Sequence, residues 1–159
     1  MADVHDTVTR SRNMAAIRGT NTKPELMLRK GLHARGFRFR LHEKKLPGKP
    51  DLVLPRYHAV IFANGCFWHR HECSLFRWPA TREEFWRDKI AGNVARDAAS
   101  FTALRSAGWR VAVVWECALK GKRRRGGEEV IDALSEWLSS EREVLELGER
   151  DMVVEEGRV

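Results

Sequence analysis

The chain reads as an α/β protein: a central mixed β-sheet flanked by helices. Three observations predict it. "AVIFA" (59–63) and "VAVVW" (111–115) are nearly continuous apolar runs of strand length, the pattern of strands covered on both faces. A long helix-forming stretch, "TREEFWRDKIAGNVARDAASFTALRSAG", separates them. The element order, a helix and then β-β-β-α-β-α, leaves helices to pack on the sheet. At 159 residues the simplest organisation is one domain with a real core.

The elements follow in order. Residues 1–20 are polar and basic, with Arg10, Arg12 and Arg18, and suit a mobile arm or a short surface helix. "TKPEL" opens the first helix: Thr22 as N-cap, Pro24 in the first turn and Glu25 closing a capping box. Leu26, Leu28 and Leu32 carry it to about Arg35, and Gly36 stops it. "FRFRL" alternates as a short strand, "LPGKP" turns, and "DLVL" is the second strand. "PRYH" turns into "AVIFA". The next helix starts at a capping box, Thr81-x-x-Glu84, and runs to Gly108. "WRVAVVWE" is a buried strand, "GKRRRGG" an exposed basic loop and "EEVIDALSEWLSS" an amphipathic helix. Expected boundaries are a basic arm at 1–20, a main domain at 21–140 and an acidic, frayed tail at 141–159.

Charge narrows the function. Lys plus Arg number 29 against 22 acids, for a net +7, but the tail alone carries −4 and residues 1–140 carry +11. A domain that basic most often meets nucleic acid, although a merely soluble basic protein has the same arithmetic. The start lacks a secretory h-region and no apolar run reaches membrane-spanning length, so the expectation is cytoplasmic, with reduced thiols and no membrane partner.

"NGCFWHRHEC" (64–73) concentrates the ligating side chains. Cys66, His71 and Cys73 form C-x4-H-x-C, and Cys117, just past "VAVVWE", is the remaining cysteine. Three thiolates and an imidazole make a closed tetrahedral set, which points to structural Zn²⁺; a small buried hydrophobe is the other reading of Cys117. Chemistry then falls to other residues. Asp51, at the entrance of "DLVL", suits a carboxylate that binds a divalent ion for phosphodiester hydrolysis, but Asp after Pro is also an ordinary turn residue.

"KPD" followed by a hydrophobic strand, a turn and a second hydrophobic strand resembles the PD-(D/E)xK nuclease core, the restriction-endonuclease-like fold. The usual acidic residue and lysine are absent from the second strand, which ends "FAN". That absence, with "RSRNM", "LPGKPDLV", "VIFANGCFWHRHEC", "PATREEFWRDKIAGNVARD" and "GWRVAVVWECAL", resembles the very short patch repair endonucleases over about residues 1–121. The resemblance implies a bacterial repair enzyme that nicks 5′ to the T of a T:G mismatch left by deaminated 5-methylcytosine. By similarity Asp51 and the Ala63 carbonyl would hold Mg²⁺, His69 would be the general base, and Glu25 would order the water network, in competition with its capping role. Asn64 stands where the family has a histidine. Phe67 and Trp68 would wedge into the duplex; Trp86 fits wedge or core equally. Lys89, Asn93 and Arg96 share a helix face, and Lys89 and Asn93 would contact the mismatch edges. Arg10, Arg12 and the loop 123–125 would meet phosphates. Implied partners are double-stranded DNA and mismatch-repair proteins, for a monomer acting at the nucleoid. From other classes stand a non-catalytic zinc-stabilised mismatch-binding module and a zinc-thiolate redox sensor.

Overall fold

The computed structural model describes residues 22–150 and the backbone of 153–156. The arm carrying Arg10 and Arg12 lies outside the described residues. Helix α1 (Lys23–Ala34) begins where the sequence places it: the Thr22 hydroxyl accepts from the Glu25 N–H at 3.4 Å. The box stays half-closed, because the Glu25 carboxylate turns to Arg29 and His42 instead. Gly36, at φ +90°, follows the helix end.

Strands β1 (Arg40–Leu41), β2 (Leu52–Leu54), β3 (Ala59–Asn64), β4 (Arg110–Trp115), β5 (Val144–Leu147) and β6 (Val153–Glu156) form one mixed sheet in chain order. The first three run antiparallel, β3, β4 and β5 parallel, and β6 antiparallel to β5. Only the end of "FRFRL" pairs; Phe37 instead enters the core beside Tyr57, ring centroids 5.4 Å apart.

Two crossovers cover the two faces. Helix α2 (Glu83–Ser106) packs Phe101 and Leu104 on Val53, Val60 and Val111. On the other face, Leu28 and Leu32 of α1 meet Val130, Ile131, Leu134 and Trp137 of α4 (Gly127–Leu138) over Leu54, Ile61 and Val114. This double covering explains the apolar continuity of β3 and β4. Gly31 is the contact point of the two helices, since a Cβ there would sit 2.4 Å from Ile131.

Three expectations need correction. Thr81 is not the N-cap: that position is Arg82, in left-handed backbone at φ 55°, with no side-chain cap hydrogen bond. The loop "GKRRRGG" is not uniformly free for phosphates, because the Arg125 guanidinium points inward to the Gly148 carbonyl at 2.8 Å and to Glu129 at 3.1 Å. The tail boundary at 141 also fails, because β5 buries Val144, Leu145 and Leu147 and completes the parallel sheet.

Candidate metal centre and active site

The register of β3 on β4 builds the metal centre. Ala59 pairs with Arg110 and Asn64 with Trp115, so both strands end level. Cys66 lies two residues beyond Asn64 and Cys117 two beyond Trp115, in the one-turn helix α3 (Glu116–Leu119). Equal overhangs from level ends bring the two thiols together. The turn after Cys66 is closed by the His71 N–H donating to the Cys66 carbonyl at 2.9 Å, and it returns His71 and Cys73 to the same point. Donor atoms of Cys66, His71, Cys73 and Cys117 all lie within 4.8 Å of one another. His71 Nδ1 is 3.6 Å from Cys66 Sγ and 3.4 Å from Cys117 Sγ.

This group fits a thiophilic cation. Cys66 and Cys117 are fully buried and His71 nearly so. Burial, and then the neighbouring thiols, push the Cys66 thiol far above its ordinary range, and burial pushes Cys117 up to about 11. Burial pushes His71 down, toward the neutral imidazole that ligates. A buried set of thiols becomes thiolates together only when a cation neutralises them.

The surroundings hold the set rigid. The Trp115 indole stacks on His71, centroids 4.1 Å apart and planes 4° apart, and donates Nε1–H to Glu146 at 2.7 Å. Its ring centroid also lies 6.1 Å from that of His69, with the planes 68° apart. Glu149, beyond β5, donates its backbone N–H to Cys117 Sγ at 3.1 Å. Its carboxylate accepts from the Ser74 hydroxyl at 2.5 Å and from the Ser74 N–H at 3.2 Å; that hydroxyl hydrogen bond chiefly holds the Glu149 carboxyl below its usual range.

A second site opens beside the first. A cleft of about 470 Å³ is lined by Ala63, Asn64, Phe67, Trp68, His69 and Asn93, among others. His69 Nδ1 faces the Asp97 carboxylate at 2.5 Å, which leaves Nε2 as its free ring nitrogen. Asp51 accepts from the Ala63 N–H at 2.7 Å, so the carboxylate adjoins the end of β3. Burial pushes the Asp51 carboxyl above its ordinary range, against the pull of that N–H and of His42, His69 and Arg29. Glu25, His42 and Asp51 place one ligand atom each within 4.8 Å of one another. Glu25 is 1% exposed.

Phe67, Trp68 and Trp86 form one edge-to-face cluster with centroids 5.1 to 5.8 Å apart. All three are half-buried, between wedge and core. The Asn93 amide donates to the Trp68 carbonyl at 2.9 Å and its carbonyl accepts from Arg96, so Asn93 braces the aromatic turn. Lys89 is half-buried on the same helix. His42, Asp97, Glu146 and Glu149 are the partners that sequence reasoning missed.

The sequence comparisons bear on this geometry. The family model for "DNA mismatch endonuclease Vsr" matches residues 2–75. The chain is 49% identical over 141 residues to the DNA mismatch endonuclease Vsr of Escherichia coli, covering 89% of this chain and 90% of that protein. This chain belongs to the Vsr family. Other relatives of this Vsr-family chain are nicking enzymes by name. The type II nicking enzyme V.XorIIP of Xanthomonas oryzae is 50% identical over 106 residues, 67% of this chain and 78% of its own. The type II nicking enzyme V.NmeAIP of Neisseria meningitidis is 44% identical over 122 residues, 77% of this chain and 87% of its own. No described helix of this Vsr-family chain is long and apolar enough to cross a membrane.

Proposed function

We propose that this chain is a strand-specific DNA mismatch endonuclease that nicks 5′ to the T of a T:G pair arising from deaminated 5-methylcytosine. Its relatives' names supply mismatch and nicking. The observation that carries the reading is the meeting of an oriented histidine and a rigid aromatic turn in one cleft, with Asp51 bonded to a residue of its wall.

The roles follow from the atoms. Asp51 and the Ala63 carbonyl would hold Mg²⁺, which supplies charge to polarise the scissile phosphate and stabilise the leaving oxygen. With Nδ1 committed to Asp97, His69 takes the proton of the attacking water on Nε2. Asp97 fixes the ring and offsets the charge it gains, as the carboxylate does in a catalytic triad. Glu25 orders the water network beside Asp51. Asn64 donates one hydrogen bond to the phosphate region, where a histidine would add charge. Cys66, His71, Cys73 and Cys117 would hold Zn²⁺, whose chemistry is structural because four protein donors leave no open position. Phe67, Trp68 and Trp86 unstack the faulty step, Lys89 and Asn93 meet the displaced edges, and Arg10 and Arg12 meet phosphates. Mismatch-repair proteins are the expected partners of a monomeric enzyme acting in the cytoplasm.

The test is nicking of an end-labelled duplex in Mg²⁺ with a T:G pair or the matched T:A pair. A cut 5′ to the mismatched T, absent with T:A and with Asp51→Ala, supports the reading. Selective binding without cutting overturns it in favour of a mismatch-binding module.

A further inference from the structure

We propose that His42 is a direct ligand of the cation held beside Asp51 and Glu25, and that its imidazole makes this site select Mn²⁺-class transition cations over Mg²⁺. This rests on the reading of Asp51 as a divalent-cation carboxylate and refines the expectation of Mg²⁺.

The strand register places His42. In the antiparallel β1–β2 pair, Arg40 faces Val53 and Leu41 faces Leu52, so the next pair in the ladder is His42 with Asp51. The ladder does continue: the His42 N–H donates to the Asp51 carbonyl at 3.2 Å. His42 then departs from strand geometry, at φ 49°. That left-handed backbone disfavours most side chains and is met more readily by His or Asn. His42 Nε2 lies 2.5 Å from Glu25 Oε2 and 3.2 Å from the Arg29 guanidinium.

The ligand atoms of Glu25, His42 and Asp51 lie within 4.8 Å of one another. An octahedral shell with bonds of about 2.1 Å spaces neighbouring donors about 3.0 Å apart and opposite donors about 4.2 Å apart. Shifts of up to about 2 Å convert this group into a facial set of two carboxylates and one imidazole, with Glu25 binding the ion directly instead of through its ordered water. Two carboxylates against the Arg29 guanidinium leave a net −1, attractive to a divalent cation but weaker than an all-acidic cage. A nitrogen donor in that shell favours Mn²⁺ and later transition ions; Mg²⁺ prefers oxygen and sheds water reluctantly.

The experiment titrates Mn²⁺ into the full-length protein, its Cys/His group first loaded with zinc, and reads bound Mn²⁺ by electron paramagnetic resonance. Spin-echo modulation then reports nitrogen coordination. The expected result is one Mn²⁺ with imidazole modulation that survives His69→Asn but is lost in His42→Asn, which keeps a residue at ease in left-handed backbone. His42→Gln repeats the test. Mn²⁺ affinity falls at least about ten-fold in either variant, and the Mn²⁺-to-Mg²⁺ preference collapses with it. No imidazole modulation, modulation that outlasts His42→Asn, or equal affinity for Mn²⁺ and Mg²⁺ in the wild type overturns the inference. Nicking in the two ions is scored separately. His42-dependent Mn²⁺ binding without nicking in either ion rejects the proposed reaction and leaves the ligand assignment standing.

Discussion

Trp115 joins the two centres, and its replacement by Phe tests that junction. The indole is 9% exposed, lies flat on His71, has its ring centroid 6.1 Å from that of His69 and bonds Glu146. Phe keeps a ring over His71 but deletes the N–H donor. A hydrogen bond to a charged acceptor contributes about 1.5–3 kcal/mol. The smaller ring buries roughly 40 Å² less apolar surface, about 1 kcal/mol more. Glu146 is half-buried and regains water, which trims the sum to about 2–3 kcal/mol. Urea unfolding of the zinc-loaded protein by far-ultraviolet circular dichroism measures the change without relying on tryptophan emission. Glu146→Gln keeps an acceptor without charge and costs about 1 kcal/mol. In the double-mutant cycle the pair couples by about 1–2 kcal/mol. A loss below about 1 kcal/mol for Trp115→Phe, or no coupling to Glu146, would refute the account of Trp115 as a bonded partition.

Other outcomes can be checked in parallel. Asp97→Asn lowers the single-turnover nicking rate by about ten-fold to a thousand-fold with little change in DNA affinity, because it acts on the orientation of His69. Asp51→Asn abolishes nicking yet stabilises the protein in the absence of divalent ions. Burial raises the Asp51 carboxyl in the fold, so its ionisation opposes folding as pH rises from the ordinary value of 3.8 through the raised one. The stabilisation is therefore full above the raised value and disappears in acid, which urea midpoints across pH will show. Glu149→Ala frees the Ser74 clasp and speeds zinc transfer to a chromophoric chelator about ten-fold or more. Arg110→Met destabilises by about 3–5 kcal/mol, since that guanidinium is the shared donor to the carbonyls of Tyr57, Trp137, Leu138 and Arg142.

What the sequence made legible was local pattern and strand adjacency. The apolar runs 59–63 and 111–115 do lie side by side, and Cys66 and Cys117 follow from that pairing. Thr22 and Gly36 bound α1 by chemistry that acts within a turn. The misses are long-range or masked. Seven acids hid the apolar positions of β5, which needs only Val144, Leu145 and Leu147 to join a sheet. His69 and Asp97 are 28 residues apart, and no local period links a turn to a helix face. His42 was invisible for another reason: its role arises from one left-handed residue at the end of a two-residue strand.

The level ends of β3 and β4 sort the chain into tolerant and intolerant lengths. Both overhangs are counted from the ladder, so the centre is indifferent to how many residues the α2 crossover contains. Length can change in that helix only beyond Asp97, because Trp86, Asn93 and Asp97 are tied to the turn 67–69. A single residue inserted between Asn64 and Cys66, or between Trp115 and Cys117, displaces one thiol from its partner and parts the four donors. The four-donor centre thus depends on two single-residue spacers, Gly65 and Glu116, and on the turn that returns His71 and Cys73.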